Sequence, residues 1–302
     1  MNKLFGSVFS LFTFAFASLA FVQNANAGLV FGDGTAQIAY GQQYENSVMS
    51  FQVQDDLGIW KPFGSAVVIG RAANGEIAFL AADHSIIKNS GNPTTRFSDY
   101  RVGVNNYFTG NTQQVTDFVL HPNALGQING FSYGLGFLSA SSFTADLAPV
   151  SFYNGTVMVG QDSDIAGYGN LIDIRNVSNE TFTGDLRAGN NVISDLGFLH
   201  PNYLATKFEP DGRPNYRPLG MGGRSGDSGG GLFINGELAG ITTFGSVNAG
   251  FSTRTAYNIL DQDWVNTVIA GRSTAVPEPS SFLMFALGSA CLGLLRRKRG
   301  TT

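Results

Sequence analysis

Apolar residues in this chain fall mostly in short runs bounded by Gly, Asn and Asp. The clearest are Ala66 to Ile69, Ile77 to Ala81, Gln114 to Leu120, Thr156 to Val159, Asn191 to Ser194, Gly231 to Ile234 and Leu238 to Thr243. Runs of this kind predict strands. Asn74-Gly75 stands between the first two and Asn235-Gly236 between the last two. Each is a hairpin signal, because a two-residue type I′ turn needs positive φ at both central positions. One stretch departs from the pattern: between Tyr257 and Ala270, Leu260, Trp264, Val265 and Val268 fall near helical spacing and predict a terminal helix. Strands at this frequency over roughly 250 residues predict an all-β chain, built as two β-barrels or a large sandwich.

Composition supports that picture. The 302 residues are 43% hydrophobic and 12% aromatic, enough for a proper core. Gly is abundant at 39 residues, which suits many tight turns, since glycine supplies positive φ without steric cost.

Both ends read as targeting segments rather than fold. Met1 to Ala27 has Lys3, an apolar run from Leu4 to Val22 and the small-x-small ending Ala25-Asn26-Ala27, the pattern of a secretory signal peptide. Near the C-terminus, Val276-Pro277-Glu278-Pro279-Ser280-Ser281 precedes an apolar stretch from Phe282 to Leu295 and the cluster Arg296-Arg297-Lys298-Arg299. The apolar stretch is shorter than an ordinary spanning helix, and its cations would hold the last residues on the cytoplasmic side. This three-part tail resembles the PEP-CTERM sorting signal of Gram-negative bacteria. The resemblance implies recognition near Pro277-Glu278-Pro279 by an exosortase-type enzyme and loss of the tail. Membrane contact is then confined to that segment, and the destination is the cell envelope, outer surface or extracellular matrix. A plain tail anchor is the alternative.

With Lys3, Glu278 and the four tail cations set aside, 13 Lys+Arg face 21 Asp+Glu, a net charge of about −8. That balance argues against nucleic acid as a partner. The single cysteine, Cys291, lies in the tail, so the core has no internal disulfide and depends on packing.

The candidate chemistry centres on Gly226-Asp227-Ser228-Gly229-Gly230, directly before an apolar strand. Flanking glycines let the backbone turn sharply and bring N–H groups to one point, where they can hold an oxyanion. A serine needs a base to act as nucleophile. Of three histidines, His121 and His200 each precede a proline in a loop, whereas His84 follows the strand-like run 77–81 in Ala81-Ala82-Asp83-His84-Ser85. The spacing of histidines and the lone cysteine give no metal-ligand pattern. Asp162 and Asp164 are read as solvated loop carboxylates ahead of a calcium site. Gly32-Asp33-Gly34 and Gly167-Tyr168-Gly169 are read as turns.

These blocks together resemble the chymotrypsin/trypsin family of serine peptidases. Gly226 to Gly230 matches the nucleophile loop. Gly64-Ser65-Ala66-Val67-Val68-Ile69 with Ala81 to Ser85 is similar to the family's Gly-Ser hairpin and Thr-Ala-Ala-His-Cys block, with Asp83 in place of the second Ala and Ser85 in place of Cys. The resemblance implies two antiparallel six-stranded Greek-key β-barrels with a short C-terminal helix and the site at their junction. The expected organisation is a signal peptide over 1–27, an N-terminal barrel over 28–150, a C-terminal barrel and helix over 151–271, and a linker and sorting tail over 272–302. It implies a protein or peptide substrate, no cofactor, Ser228 as nucleophile, His84 as base, and the N–H groups of Gly226 and Ser228 as oxyanion hole. The family's aspartate position falls on Ser132, which could orient His84 but could not supply charge. Asp117 or Asp83 could provide an acid instead, and a weakened peptidase or an inactive binding protein are both open. By offset from Ser228 the specificity pocket has Gly222 as floor and Thr243, Phe244, Gly245 and Gly250 as walls, a glycine-lined space suited to apolar or aromatic side chains. The family's pairing of Asp227 with a freed amine leaves Gly28 or another cation as its partner.

Overall fold

The computed structural model describes residues 28–30, 34–55, 57–86, 99–124, 131–173, 180–198, 200–209, 211–248 and 252–272. The expected signal peptide, Asp33, Gly250, Pro277-Glu278-Pro279 and the apolar tail lie outside them.

The first half contains β1 (Gly28–Val30), α1 (Thr35–Gly41), β2 (Val48–Gln54), β3 (Trp60–Arg71), β4 (Ile77–Ala82), α2 (Asp83–Ile86), β5 (Tyr100–Gly103), β6 (Thr112–Gln114), β7 (Asp117–Leu120), β8 (Tyr133–Leu138) and α3 (Ser142–Ala145). The second contains β9 (Asp162–Gly167), β10 (Leu171–Asp173), β11 (Glu180–Thr181), β12 (Arg187–Leu196), β13 (Tyr203–Phe208), β14 (Gly231–Ile234), β15 (Glu237–Asn248), β16 (Ser252–Ile259) and α4 (Gln262–Arg272).

In the second half, β12-β13-β16-β15-β14-β9 form a closed six-stranded barrel. In the first, the order is β6-β5-β2-β3-β4-β8-β7, a seven-stranded sheet rather than a six-stranded barrel. Its two edge strands are consecutive in the chain, and the link between them bonds both ways. The Val115 amide donates to the Tyr100 carbonyl of β5 at 3.1 Å, and the Thr116 amide to the Phe137 carbonyl of β8 at 2.9 Å. The run from Gln114 to Leu120 therefore bends where Val115 turns into the core, and carries the sheet from one edge to the other. β1 pairs in parallel with β10, and β10 antiparallel with β11, as a small separate sheet.

The interior of the first sheet is filled by aromatic rings. Phe51 stacks on Tyr100 at 5.4 Å between centroids, and Phe118 meets Phe51, Phe79 and Tyr100 edge-on. A second cluster runs through both sheets, with Val67, Leu80 and Leu135 from one and Ala166, Phe233 and Ile241 from the other. Burying this shared surface is what holds the halves together.

Local turn chemistry explains where the predicted elements held and where they moved. Asn235 and Gly236 have φ of 54° and 81°, the positive pair a type I′ hairpin needs, and join Ile234 to Glu237. At Asn74-Gly75 only Gly75 has positive φ, 86°, and its amide bonds Ala72 O at 2.9 Å, so this hairpin closes through a longer turn. Thr156 to Val159 belongs to no strand. The terminal helix starts at Gln262, because Tyr257 and Ile259 pair as part of β16.

α4 returns to the first sheet. The Asp261 carboxylate accepts the Trp264 amide at 3.0 Å, while the Asp261 amide donates to the Tyr133 hydroxyl at 2.7 Å. Arg272 pairs with Asp117 and lies over Phe137, 4.1 Å from its centroid. Removing the Tyr133 hydroxyl orphans an amide at the start of this clamp. Tyr133→Phe should therefore lower stability by about 1 kcal/mol in urea denaturation, with faster hydrogen exchange concentrated in α4.

Candidate active site

The loop ahead of β14 makes two tight turns. The Asp227 amide bonds Arg224 O at 2.9 Å and the Gly230 amide bonds Asp227 O at 2.7 Å. Gly226 and Gly229 take φ of 88° and 85°. A Cβ at Gly229 would collide with the Ser65 carbonyl, and one at Gly226 would lie 2.9 Å from the Gly169 Cα. Ser228 is left at the tip, partly exposed. The loop is tied to β15 by the Gly229 amide on Thr242 O and the Thr242 amide on Gly230 O, both 2.7 Å.

It is tied to β3 by Ser65, which is fully buried. The Ser65 amide donates to Ser228 O at 2.8 Å, its hydroxyl donates to Gly226 O at 2.9 Å, and it accepts the Tyr168 amide at 2.8 Å. Among the described residues, the amides of Gly226 and Ser228 have no protein acceptor.

Ser228 and His84 line one cavity of about 440 Å³. His84 stands in α2, a single turn that begins where β4 ends, with 40% of its side chain exposed. Its wall is largely apolar, from Val53, Pro62, Phe63 and Phe182. Asp55 and Lys61, paired at 2.7 Å, are the charged residues lining it. His84 is the only histidine on this cavity. His121 is buried against Phe131, Tyr133 and Trp264, with Nε2 3.4 Å from Asp261, and His200 accepts the Asn202 amide at 3.2 Å.

Ser132 is buried, and its hydroxyl is 2.8 Å from the Tyr203 hydroxyl. Asp83, immediately before His84, is buried too. Its Oδ1 accepts the His84 amide at 2.6 Å and lies 3.5 Å from His84 Nδ1. Asp117 is engaged by Arg272, away from the cavity.

The cavity is not lined by the residues read as specificity pocket. Gly222 and Thr243 are buried, the Thr243 hydroxyl donating to Ile241 O at 3.4 Å. Phe244 packs 5.9 Å from Tyr203, and Gly245 pairs with Thr255 inside the barrel wall. Thr243, Phe244 and Gly245 follow Thr242, the residue that bonds the Ser228 loop.

Asp227 is buried beneath the loop. Its carboxylate accepts the Gly169 amide at 2.8 Å and the Arg224 amide at 3.0 Å. Burial pushes its proton affinity above the ordinary carboxylate range, and the Arg187 charge is the largest influence pulling it back. Arg187 is 1% exposed, with one bond from Nη1 to Thr183 at 3.0 Å and, among the described residues, no partner for Nε or Nη2. Sequence reasoning missed this arginine. Gly167 and Gly169 are more than turn residues, because a Cβ on either would enter the space of the Asp227 carboxylate.

Other sequence candidates have structural partners. Asp162 pairs with Arg217 at 2.5 Å, and Asp164 accepts the Tyr40 and Tyr44 hydroxyls at 3.0 and 2.8 Å.

The architecture and this loop are those of a chymotrypsin-like fold, and known proteins point the same way. Residues 275–299 match the PEP-CTERM protein-sorting motif. The chain is 28% identical over 151 residues to snake venom serine protease 1 of Craspedocephalus gramineus, covering 47% of this chain and 55% of that protein. It is 31% identical over 147 residues to alpha-fibrinogenase albofibrase of Trimeresurus albolabris, covering 45% and 53%. It is also 25% identical over 187 residues to an alpha-2-macroglobulin homolog of Nostoc sp., covering 59% of this chain and 10% of that protein. The chain thus spans about half the length of the venom proteases it matches. It carries a PEP-CTERM sorting motif and has weak homology to trypsin-like serine proteases. Among the described residues no helix is long and apolar enough to cross a membrane.

Two variants test the supports of this site. Ser65→Ala orphans the Tyr168 amide and the Gly226 carbonyl, and should lower stability by about 1–3 kcal/mol in urea denaturation. Arg187→Met leaves buried Asp227 without its main opposing charge. A carboxyl with a raised folded value contributes most below its unfolded value and loses that contribution as pH rises through the folded one. The Arg187→Met loss in urea denaturation should therefore be largest near neutral pH and shrink progressively toward acid pH.

Proposed function

We propose that this chain is an exported serine endopeptidase that hydrolyses peptide bonds through an acyl-enzyme on Ser228. The observation that carries the reading is the shared cavity, where Ser228 and His84 face the same space beside two amides with no protein acceptor. Ser228 Oγ attacks the substrate carbonyl while its proton passes to His84. The N–H groups of Gly226 and Ser228 hold the oxyanion, which needs donors fixed before charge develops. His84 then gives the proton to the leaving amine as the C–N bond breaks. Water, deprotonated by His84, releases the acid product and restores Ser228. The Ser65 bonds support this role by fixing both carbonyls that flank the donor amides.

The substrate is a protein or peptide, bound without a cofactor. By offset from Ser228, the proposed pocket for the side chain before the cleaved bond is Gly222, Thr243, Phe244, Gly245 and Gly250, a place distinct from the cavity that Ser228 and His84 line. The organisation proposed is a signal peptide over 1–27, two β-barrels over 28–150 and 151–271, and a tail processed by an exosortase-type enzyme at Pro277-Glu278-Pro279. That places the mature protein at the envelope, the outer surface or the extracellular matrix.

The test is covalent labelling of the full-length chain by a fluorophosphonate, with circular dichroism to establish folding. Wild type should label at one site, and Ser228→Ala should abolish labelling. A folded wild-type chain that does not label would instead support a catalytically inactive surface or matrix binding protein.

A further inference from the structure

The acid position expected at 132 holds a serine, yet a carboxylate is buried beside the base. We propose that Asp83 is the positioning residue for His84: its carboxylate, in place of the Ser132 hydroxyl, faces Nδ1 and holds Nε2 toward Ser228. This rests on reading Ser228 and His84 as nucleophile and base.

Three observations carry it. First, the Asp83 side chain is 3% exposed where the His84 ring it adjoins is 40% exposed, so the carboxylate lies on the protein side of the imidazole. Second, Asp83 is held there. Its amide donates to Ser132 O at 3.1 Å, and its Oδ1 accepts the His84 amide at 2.6 Å. The same Oδ1 is 3.5 Å from Nδ1. That distance is longer than a formed hydrogen bond, but catalytic bonds of this kind tighten when substrate binds. Third, the Ser132 hydroxyl is committed to Tyr203 at 2.8 Å. The Asp83 charge reaches this pair as well: burial chiefly, and Asp83 in addition, hold the Tyr203 hydroxyl above the usual range for proton loss. Ser132 thus supports Asp83 through its carbonyl, while its own hydroxyl is taken up by Tyr203.

Residues adjacent in sequence on a long helix do not face one another. Asp83 and His84 escape that limit because α2 is one turn at the end of β4, where the chain changes direction. The gain over a hydroxyl is charge. A carboxylate at Nδ1 selects the Nδ1–H tautomer, leaves Nε2 as acceptor and stabilises the imidazolium formed when Ser228 loses its proton. The other charged groups on the cavity, Asp55 and Lys61, are paired with each other.

The test combines rate and tautomer on the full-length chain. Asp83→Asn should slow fluorophosphonate labelling of Ser228 on the order of 10²–10⁴-fold. It should also shift the acid limb of the labelling–pH profile to lower pH, since imidazolium loses its neighbouring anion. Labelling at the wild-type rate and profile would overturn the proposal. If the variant does not fold, ¹⁵N NMR of wild type decides: neutral His84 protonated on Nδ1 supports the role, and the Nε2–H tautomer overturns it. This readout needs no turnover. A chain that fails to label yet shows the Nδ1–H tautomer would sink the peptidase reading while leaving the Asp83–His84 arrangement in place.

Discussion

Three hydrogen bonds at Ser65 set the relation between the two sheets and the reactive loop. One residue of β3 holds the carbonyls of Gly226 and Ser228 and the amide of Tyr168. Ser65 itself is fully buried, so an unmade bond there costs the desolvation of the orphaned group. The neighbouring glycines follow from how close this brings the backbones. A side chain at Gly229 would strike the Ser65 carbonyl, and one at Gly64 would sit 2.8 Å from the Ser228 carbonyl. The loop is therefore shaped from outside itself, by a strand more than 160 residues earlier in the chain.

A second constraint acts from below. Asp227 is buried at the barrel junction, where it accepts two amides and feels the charge of the buried Arg187. The carboxylate fills the space that side chains at 167 and 169 would occupy, so Gly167-Tyr168-Gly169 and Asp227 are fitted to one another. Burying an arginine with two nitrogens unbonded is unfavourable unless a countercharge offsets it. Arg187 and Asp227 each supply that for the other. Their attraction acts across the junction without an ion-pair contact, between β12 and the loop that carries Ser228.

These features differ in how far the sequence discloses them. Asn235-Gly236 was legible because a type I′ turn is decided by two adjacent residues. The bend at Val115 was not, since whether a run pairs with one strand or two depends on partners distant in the chain. Tyr257 to Ile259 stood at the start of the segment expected as helix yet joined β16, because two flanking strands offered their backbone groups a ladder. At the site, the loop around Ser228 and the block around His84 were readable as local motifs. Arg187 was not readable, because nothing near it marks a buried cation. The cavity beside Ser228 was also hidden, being assembled from β2, β3 and residues past 168.

The exchange at positions 83 and 132 shows how a site can move a charge without losing it. The resembling family pattern has alanine before the histidine and aspartate before the strand that here is β8. This chain has Asp83 and Ser132 at those places. With only the serine change, a hydroxyl would be left to face a developing imidazolium. With only the aspartate change, two carboxylates would be buried together, and their repulsion would keep one protonated. Made together, the changes leave one carboxylate beside the ring, on a residue whose backbone amide is held by the Ser132 carbonyl while the Ser132 hydroxyl turns to Tyr203. The geometry is less direct than a carboxylate approaching from a neighbouring strand, as the 3.5 Å separation records. Its compensation is that Asp83 accepts the backbone amide of the very residue it orients, so ring and carboxylate move as one unit.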